Sequence, residues 1–273
     1  MLKIKLNELI INSTANLIAS QNSANGSFPE GHNGPYIDPE TSVRNTSHSL
    51  FLLAGLYQKT NTHEYKVAGE KAINYLFSEI ARPYHKTFHC RDTAGKDHCN
   101  GLIGQAWVME ALIKAYHAFN REDCYELAEE IFLLHPWNPE IGIWNRVEID
   151  GEVLTYDNTF NHQLWFASVA AQLDKTQVAQ QRALFFLQKV ACHVSLYDNG
   201  VIFHGSRMGS MSSYVSSGLL SYARQVKRCF LQWRTLKPLY SKSVGYHSFN
   251  LYAFAMLKDI FPEEPFWRSE KIR

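Results

Sequence analysis

Net charge is almost absent from this chain, with 27 Lys and Arg against 26 Asp and Glu. A broad electrostatic footprint for nucleic acid or an anionic membrane is therefore not expected. Long apolar runs are missing as well: no stretch approaches the roughly 18 apolar residues of a membrane span, so none is expected. The N-terminal segment Met1-Leu-Lys-Ile-Lys-Leu-Asn-Glu-Leu-Ile-Ile11 is amphipathic and broken by charges. It has neither the uninterrupted apolar core nor the small-residue cleavage site of a signal peptide. Cysteines number five, an odd and scattered set that suits no disulfide framework. Reduced thiols and a cytoplasmic location are the expectation. There is no Gly-x-Ser-x-Gly elbow, P-loop, Rossmann fingerprint, His-Glu-x-x-His or Asp-rich diphosphate motif, so no cofactor is expected.

What the chain has is apolar and aromatic material. It is 45% hydrophobic and 13% aromatic, with 12 His, which is enough for a substantial core. Aromatic faces also cover the C–H faces of pyranose rings, so the same enrichment suits a saccharide-binding cleft.

Apolar residues recur at helical spacing over roughly 4–20, 42–60, 63–81, 101–119, 121–135, 158–174, 176–194 and 246–261. The segments fall into couples. First members are nearly apolar all round, as in Leu50-Phe-Leu-Leu-Ala-Gly-Leu-Tyr57, Trp107-Val-Met-Glu-Ala-Leu-Ile113, Trp165-Phe-Ala-Ser-Val-Ala-Ala171 and Leu251-Tyr-Ala-Phe-Ala-Met-Leu257. Second members are charged on one side, as in 64–76 and 123–131. A helix apolar all round is buried, whereas a one-sided helix faces solvent, so an inner layer wrapped by an outer one is expected. Short links at Asn61-Thr62 and Asn120-Arg121 predict antiparallel helical hairpins. The couples start about 50–60 residues apart, a repeat spacing. One β excursion is expected at 143–156, around Asp150-Gly151. The stretch Gly205-Ser-Arg-Met-Gly-Ser-Met-Ser-Ser213 reads as loop, followed by a helix near 214–233.

This all-α pattern resembles the α/α toroid of the six-hairpin glycosidase-like superfamily. The resemblance rests on Asn100-Gly-Leu-Ile-Gly-Gln-Ala-Trp-Val-Met-Glu-Ala-Leu112, Asn158-Thr-Phe-Asn-His-Gln-Leu-Trp-Phe-Ala-Ser168 and Val244-Gly-Tyr-His-Ser-Phe-Asn-Leu-Tyr-Ala-Phe254. The first is similar to unsaturated glucuronyl hydrolases and sugar 2-epimerases. Asn161-His162 followed by Trp165 resembles the Asn-His of toroid polysaccharide lyases. The whole chain is similar to bacterial proteins of polysaccharide and glycosyltransferase gene clusters. A full ring needs twelve helices and the pattern offers nine or ten, so an incomplete ring of about five hairpins in one domain, 1–273, is expected.

In such a toroid the first turns of the inner helices converge on one rim. Four clusters lie there. In 32–48, Tyr36, Asp38, Arg44, Asn45 and His48 are candidate binding residues, Arg44 for a carboxylate such as a uronate. The alternative is an internal Arg44–Glu40 pair. In 87–101, Arg91 and Asn100 are candidate binding residues. Asp97 is a candidate catalytic acid or a helix cap. His89-Cys90 and His98-Cys99 match no usual zinc spacing, so no metal is expected. In 156–165, Asp157 and His162 are candidate catalytic groups beside Asn161 and Trp165. Asp157 also suits an N-cap, and His162 a hydrogen-bonded core histidine. In 245–250, Tyr246 and His247 are candidate proton carriers and Asn250 a hydroxyl ligand. Trp107 and Trp165 are stacking platforms or core.

The expected function is general acid/base chemistry on an oligosaccharide or uronate-containing glycan, with hydrolase, lyase and epimerase all open. A hydrolase needs a carboxyl of raised pKa, and Asp157, Asp97 and Asp38 are candidates. A 2-epimerase would pair His162 with His247. The alternative from another class is a non-catalytic glycan-binding or scaffold partner of a glycosyltransferase. An open α-solenoid that binds protein surfaces is a third.

Overall fold

The computed structural model describes residues 5–33, 37–205 and 236–272. Tyr36 and the helix expected near 214–233 lie outside the described residues. Eight α-helices occur among the described residues: α1 (Leu6–Ala19), α2 (Ser42–Thr60), α3 (His63–Leu76), α4 (Gly101–Phe119), α5 (Glu122–Leu134), α6 (Phe160–Ala170), α7 (Gln177–His193) and α8 (Leu236–Ile260). A 3-10 turn covers Pro265–Arg268. None of the described helices is long and apolar enough to cross a membrane.

The chain divides into two compact units, one of Met1–Pro136 with Arg146–Leu154 and the other of Trp137–Asn145 with Thr155–Arg273. In the first, α2 packs on α3 and α4, and α4 packs on α5. Helix α4 is buried nearly all round, as its sequence predicts, and α5 shows a charged outer face. Both hairpins close on an asparagine in the left-handed region, Asn61 (φ 54°) after α2 and Asn120 (φ 58°) after α4. Asparagine tolerates that conformation, which ends a helix and reverses the chain in few residues. In the second unit α6 packs on α7 and α8.

The small strands serve the helix entrances. Strands β1 (His32–Asn33) and β2 (Asp38–Pro39) pair antiparallel ahead of α2. Strands β3 (Trp137–Asn138), β4 (Ile143–Val147) and β5 (Val153–Tyr156) form a sheet in that order. The turn between β4 and β5 places Gly151 at φ 96°, so the expected hairpin is present.

One device recurs at three helix entrances. A polar side chain inside the helix reaches back 17 to 19 residues to the backbone N–H of a buried aromatic. Thr46 Oγ1 accepts from Phe28 N–H at 2.9 Å, Gln105 Oε1 from Phe88 at 2.8 Å, and Gln163 Oε1 from Trp144 at 3.0 Å. The two glutamines also donate to the carbonyls of Phe88 and Trp144, at 3.0 and 2.8 Å. Phe28, Phe88 and Trp144 are each at most 1% exposed. A buried backbone pair needs partners, and here one amide side chain supplies both.

Helix α8 departs from expectation in two ways. It runs from Leu236 rather than from Tyr246, so the cluster 245–250 sits in its middle and not at its start. Gly245 reads as a boundary, yet a glycine costs a helix interior only about 1 kcal/mol and does not end it. Nor is α8 buried all round: Val244, Phe249, Leu251 and Tyr252 are exposed on one side.

Candidate functional site

In the first unit the sequence-predicted residues meet one another as a charge network. Arg44 Nη1 contacts both carboxylate oxygens of buried Glu40 at 2.8 Å, and its guanidinium lies 4.6 Å from the Trp107 ring centroid. His48 packs on the same indole at 5.3 Å. Asn45 Nδ2 donates to the Pro29 carbonyl at 2.7 Å, and Lys96 pairs with Asp38 at 2.5 Å. These side chains already hold protein partners, and Arg44 is the internal ion-pair member that the sequence allowed.

The entrance to α4 is built around Asp97. Asn100 and Gly101 both take positive φ, 56° and 60°, and a Cβ on Gly104 would meet the Cys99 carbonyl oxygen at 2.4 Å. The Asn-Gly-x-x-Gly wording of this motif is thus a backbone requirement. Asp97 Oδ1 accepts from the Gly101 N–H at 2.8 Å and Arg91 Nη2 at 2.9 Å, and Oδ2 pairs with Arg146 at 2.5 Å. Arg91 also donates to Asn100 Oδ1 at 3.0 Å. Burial pushes the Asp97 carboxyl upward, but Arg91, the Gly101 N–H, the Cys99 thiol and Arg146 together hold it below the ordinary carboxylate value. An acid so stabilised as an anion does not supply the raised pKa that glycoside hydrolysis asks of its proton donor. Beside it lies an open pocket of about 500 Å³ lined by Arg91, Lys96, Asp97, Arg146, Glu148 and Leu154.

The second unit holds a different arrangement. Asp157 is 5% exposed; it accepts the Thr159 N–H at 3.1 Å and pairs with His162 Nδ1 at 2.8 Å. It therefore secures the first turn of α6 and orients the imidazole together. With Nδ1 donating to a carboxylate, Nε2 carries the lone pair. His162 is the one residue of α6 that is not buried.

His204, which sequence reasoning did not single out, joins this pair. Its N–H donates to Ser243 Oγ at 3.0 Å and its carbonyl accepts the Phe160 N–H at 3.2 Å, so it ties α6 to α8. Its ring stacks on Tyr246 at 4.6 Å. Burial first, then Lys242 and His162, lower its pKa to about 3, with Asp157 opposing. His204 is thus neutral over the physiological range and within electrostatic reach of both members of the pair. The one available signal was the Phe203-His204 dipeptide, which repeats Phe88-His89 two hairpins earlier.

Several buried polar atoms here have no partner: His204 Nδ1, Asn161 Oδ1, and both Nδ2 and Oδ1 of Asn250, whose residue is 1% exposed. An unmet buried polar group costs about 1–3 kcal/mol, so these atoms are a local cost of the fold on α6, α8 and the segment after α7. Trp165 packs at 5.8 Å on Phe249 and 5.2 Å on Tyr252, as part of the α6–α8 contact.

His247 stands apart from this group. Its Nδ1 accepts the Ile202 N–H at 3.3 Å, and it lines a 560 Å³ pocket with Tyr197, Leu251, Lys258 and Trp267. Asp157, His162, His204 and Tyr246 do not line that pocket. Among the described residues His247 makes its hydrogen bond to Ile202, and the histidine within electrostatic reach of His162 is His204. The reason is helical geometry: within a continuous helix, consecutive residues such as Tyr246 and His247 point about 100° apart.

No family model matches the chain. It is 40% identical over 269 residues to archaeal glycosylation protein Q of Haloferax volcanii, covering 96% of this chain and 72% of that one. Among solved structures, cellobiose 2-epimerase from Bacillus thermoamylovorans aligns with a TM-score of 0.58 at 12% identity, over 73% of this chain and 60% of its own. A sugar epimerase from a ruminal bacterium aligns at 0.56 and 15%, over 92% and 70%. D-mannose isomerase aligns at 0.53 and 18%, over 66% of this chain and 49% of its own, so the chain spans about half that enzyme's length. At such identities the likeness is one of fold, that of helical hairpins in an α/α toroid.

Proposed function

This chain belongs to the family of archaeal glycosylation protein Q, on the six-hairpin glycosidase-like fold, and from that premise we propose a carbohydrate-active enzyme that moves a proton at a sugar carbon. The reaction class is epimerisation or isomerisation by general acid/base catalysis. The observation that carries it is the Asp157–His162 pair within electrostatic reach of His204, which stacks on Tyr246.

In this reading His162 Nε2 takes the proton from the carbon next to the carbonyl of an open-chain sugar. The C–H electron pair forms the C=C of an enediolate, and Asp157 stabilises the imidazolium that results. Tyr246, whose ring stacks on neutral His204, stands to return the proton. Asn161 and Asn250 supply donors and acceptors for sugar hydroxyls. Hydrolysis is less well supported, because each candidate acid is held by a cation or a histidine: Asp97 by two arginines, Asp38 by Lys96 and Asp157 by His162. A uronate is less well supported too, since Arg44 is committed to Glu40. The cysteines placed in the structure are free, and three of the four are buried, which suits the reducing cytoplasm.

The test is solvent exchange. With D-mannose, D-glucose and cellobiose in D2O, proton NMR should report deuterium entering at the carbon beside the carbonyl, with loss of the signal in His162→Ala and His204→Ala. Cleavage of an oligosaccharide without exchange would make the protein a hydrolase. A second reading, a non-catalytic glycan-binding or scaffold partner of a glycosyltransferase, is favoured by the relative's name, which speaks of glycosylation and not of a reaction. Saturable oligosaccharide binding with neither exchange nor cleavage would establish that one.

A further inference from the structure

The segment 89–99 contains two His-Cys pairs, and the fold splits both. Cys90 and Cys99 turn into the core, at 1% and 0% exposure, so their sulfurs point away from the surface on which the histidines lie. Their neighbours face outward instead. The His89 and His98 rings meet edge to face at 5.3 Å and share one carboxylate. His89 Nε2 lies 2.7 Å from Asp92 Oδ1, and His98 Nδ1 lies 3.4 Å from the same oxygen.

We propose that His89, Asp92 and His98 form a binding site for one divalent transition-metal ion of the zinc class, with its remaining positions open to solvent. One donor atom from each residue lies within 4.8 Å of the others. A tetrahedral ion with bonds of about 2.0–2.1 Å spaces its ligand atoms roughly 3.4 Å apart. The His98–Asp92 separation already has that value, and the His89–Asp92 hydrogen bond has to open by less than 1 Å. Two imidazole nitrogens and one carboxylate select zinc, cobalt or nickel over magnesium and calcium, which prefer oxygen throughout.

The backbone holds the donors in place beforehand. The N–H groups of Cys90 and Arg91 both donate to the His98 carbonyl, at 2.9 and 3.2 Å, and Lys96 N–H closes the intervening turn on Thr93 at 3.1 Å. Glu148 receives the His98 N–H through both oxygens, at 3.1 and 3.0 Å. Arg91 is paired with Asp97 and Lys96 with Asp38. Binding replaces the His89–Asp92 hydrogen bond and frees His98 Nδ1 from the Arg91 carbonyl, now 3.1 Å away. The bound ion staples the loop that presents Arg91, Asp97 and Asn100.

The experiment is calorimetric titration of the chelator-treated full chain with ZnCl2, with MgCl2 as the comparison ion. One Zn2+ per chain is expected. His89→Ala with His98→Ala should weaken binding at least ~10-fold, and Asp92→Asn similarly, while Cys192→Ser leaves it unchanged. These side chains are at the surface, so circular dichroism should find the variants folded. Co2+ loading gives a second readout, in which visible bands without sulfur-to-metal charge transfer mark nitrogen and oxygen ligands. The proposal is overturned if Zn2+ gives no heat, if Mg2+ binds as well, if the histidine variants bind unchanged, or if a charge-transfer band identifies thiolate ligands.

Discussion

Gln163 closes both backbone hydrogen bonds of Trp144, accepting its N–H at 3.0 Å and donating to its carbonyl at 2.8 Å. A further bond from the same amide reaches the Asp157 carbonyl at 3.2 Å, so one side chain holds β4 and the residue that orients His162. Gln163→Ala leaves two buried backbone groups unmet and should cost about 2–4 kcal/mol. Urea unfolding of the variant measures this, and Gln105→Ala should behave alike through Phe88. A loss below 0.5 kcal/mol (within ordinary surface variation) would mean that water or another group takes over the joint.

Asp157→Asn keeps the shape of the side chain but removes the charge that stabilises an imidazolium on His162. Turnover should fall by about 10²–10⁴-fold, and His162→Ala should fall as far. Steady-state kinetics on a sugar that exchanges solvent deuterium are the measurement. If Asp157→Asn alone is inactive and His162→Ala is not, the carboxyl rather than the imidazole carries the chemistry.

His204 gives a pH signature. Its pKa is about 3 in the folded chain and near 6.5 when unfolded, so the unfolded state binds the proton more readily. Stability contributed by this group is complete above pH 6.5 and is lost as pH falls from there toward 3. His204→Phe preserves the stack on Tyr246 and removes the titration. Urea midpoints for the variant should fall less between pH 7.5 and 4.5 than those of the parent chain; parallel loss would place the acid sensitivity elsewhere.

Asp97→Asn strands two arginines in a partly buried network. It should lower stability by about 3 kcal/mol, read as a reduced melting temperature, because breaking such a network leaves charge uncompensated. Since the folded carboxyl is depressed, its contribution is present above its unfolded pKa and fades as pH drops through the acid range. The deficit of the variant should therefore shrink toward pH 3.

Gly104→Ala places a Cβ 2.4 Å from the Cys99 carbonyl oxygen. The α4 entrance has to shift, and a loss of at least about 1 kcal/mol is expected in denaturant unfolding. An unchanged midpoint would show that the entrance gives way freely.

Much of this was legible in the sequence because the signals were local. Helices α2 and α4 have the predicted bounds, fixed by left-handed asparagines that read as short links. The hairpin at 143–156 was marked by Asp150-Gly151. The start of α8 was not legible, since Gly245 lies inside a helix that packing sustains. His204 was hidden for another reason: its neighbours Tyr246 and Ser243 come from α8, and nothing in the residues around 204 announces them. Likewise, Tyr246 and His247 form one motif on paper and face different surroundings once the helix is continuous. Two His-Cys pairs match no zinc spacing, and the sequence predicts no metal there; burial sends their sulfurs inward and their imidazoles outward.

The joints at Phe28, Phe88 and Trp144 are made to main-chain atoms, with a side chain of the following helix as the fastener. The residues next along, Pro29, His89 and Asn145, are not held by those fasteners. Each joint thus works as a mounting rather than a part of the machinery: whatever is attached beyond it can be exchanged without loosening it. A lineage that keeps Thr46, Gln105 and Gln163 can retool its rims one at a time, so divergent chemistries on a common frame are the expected outcome in proteins built this way.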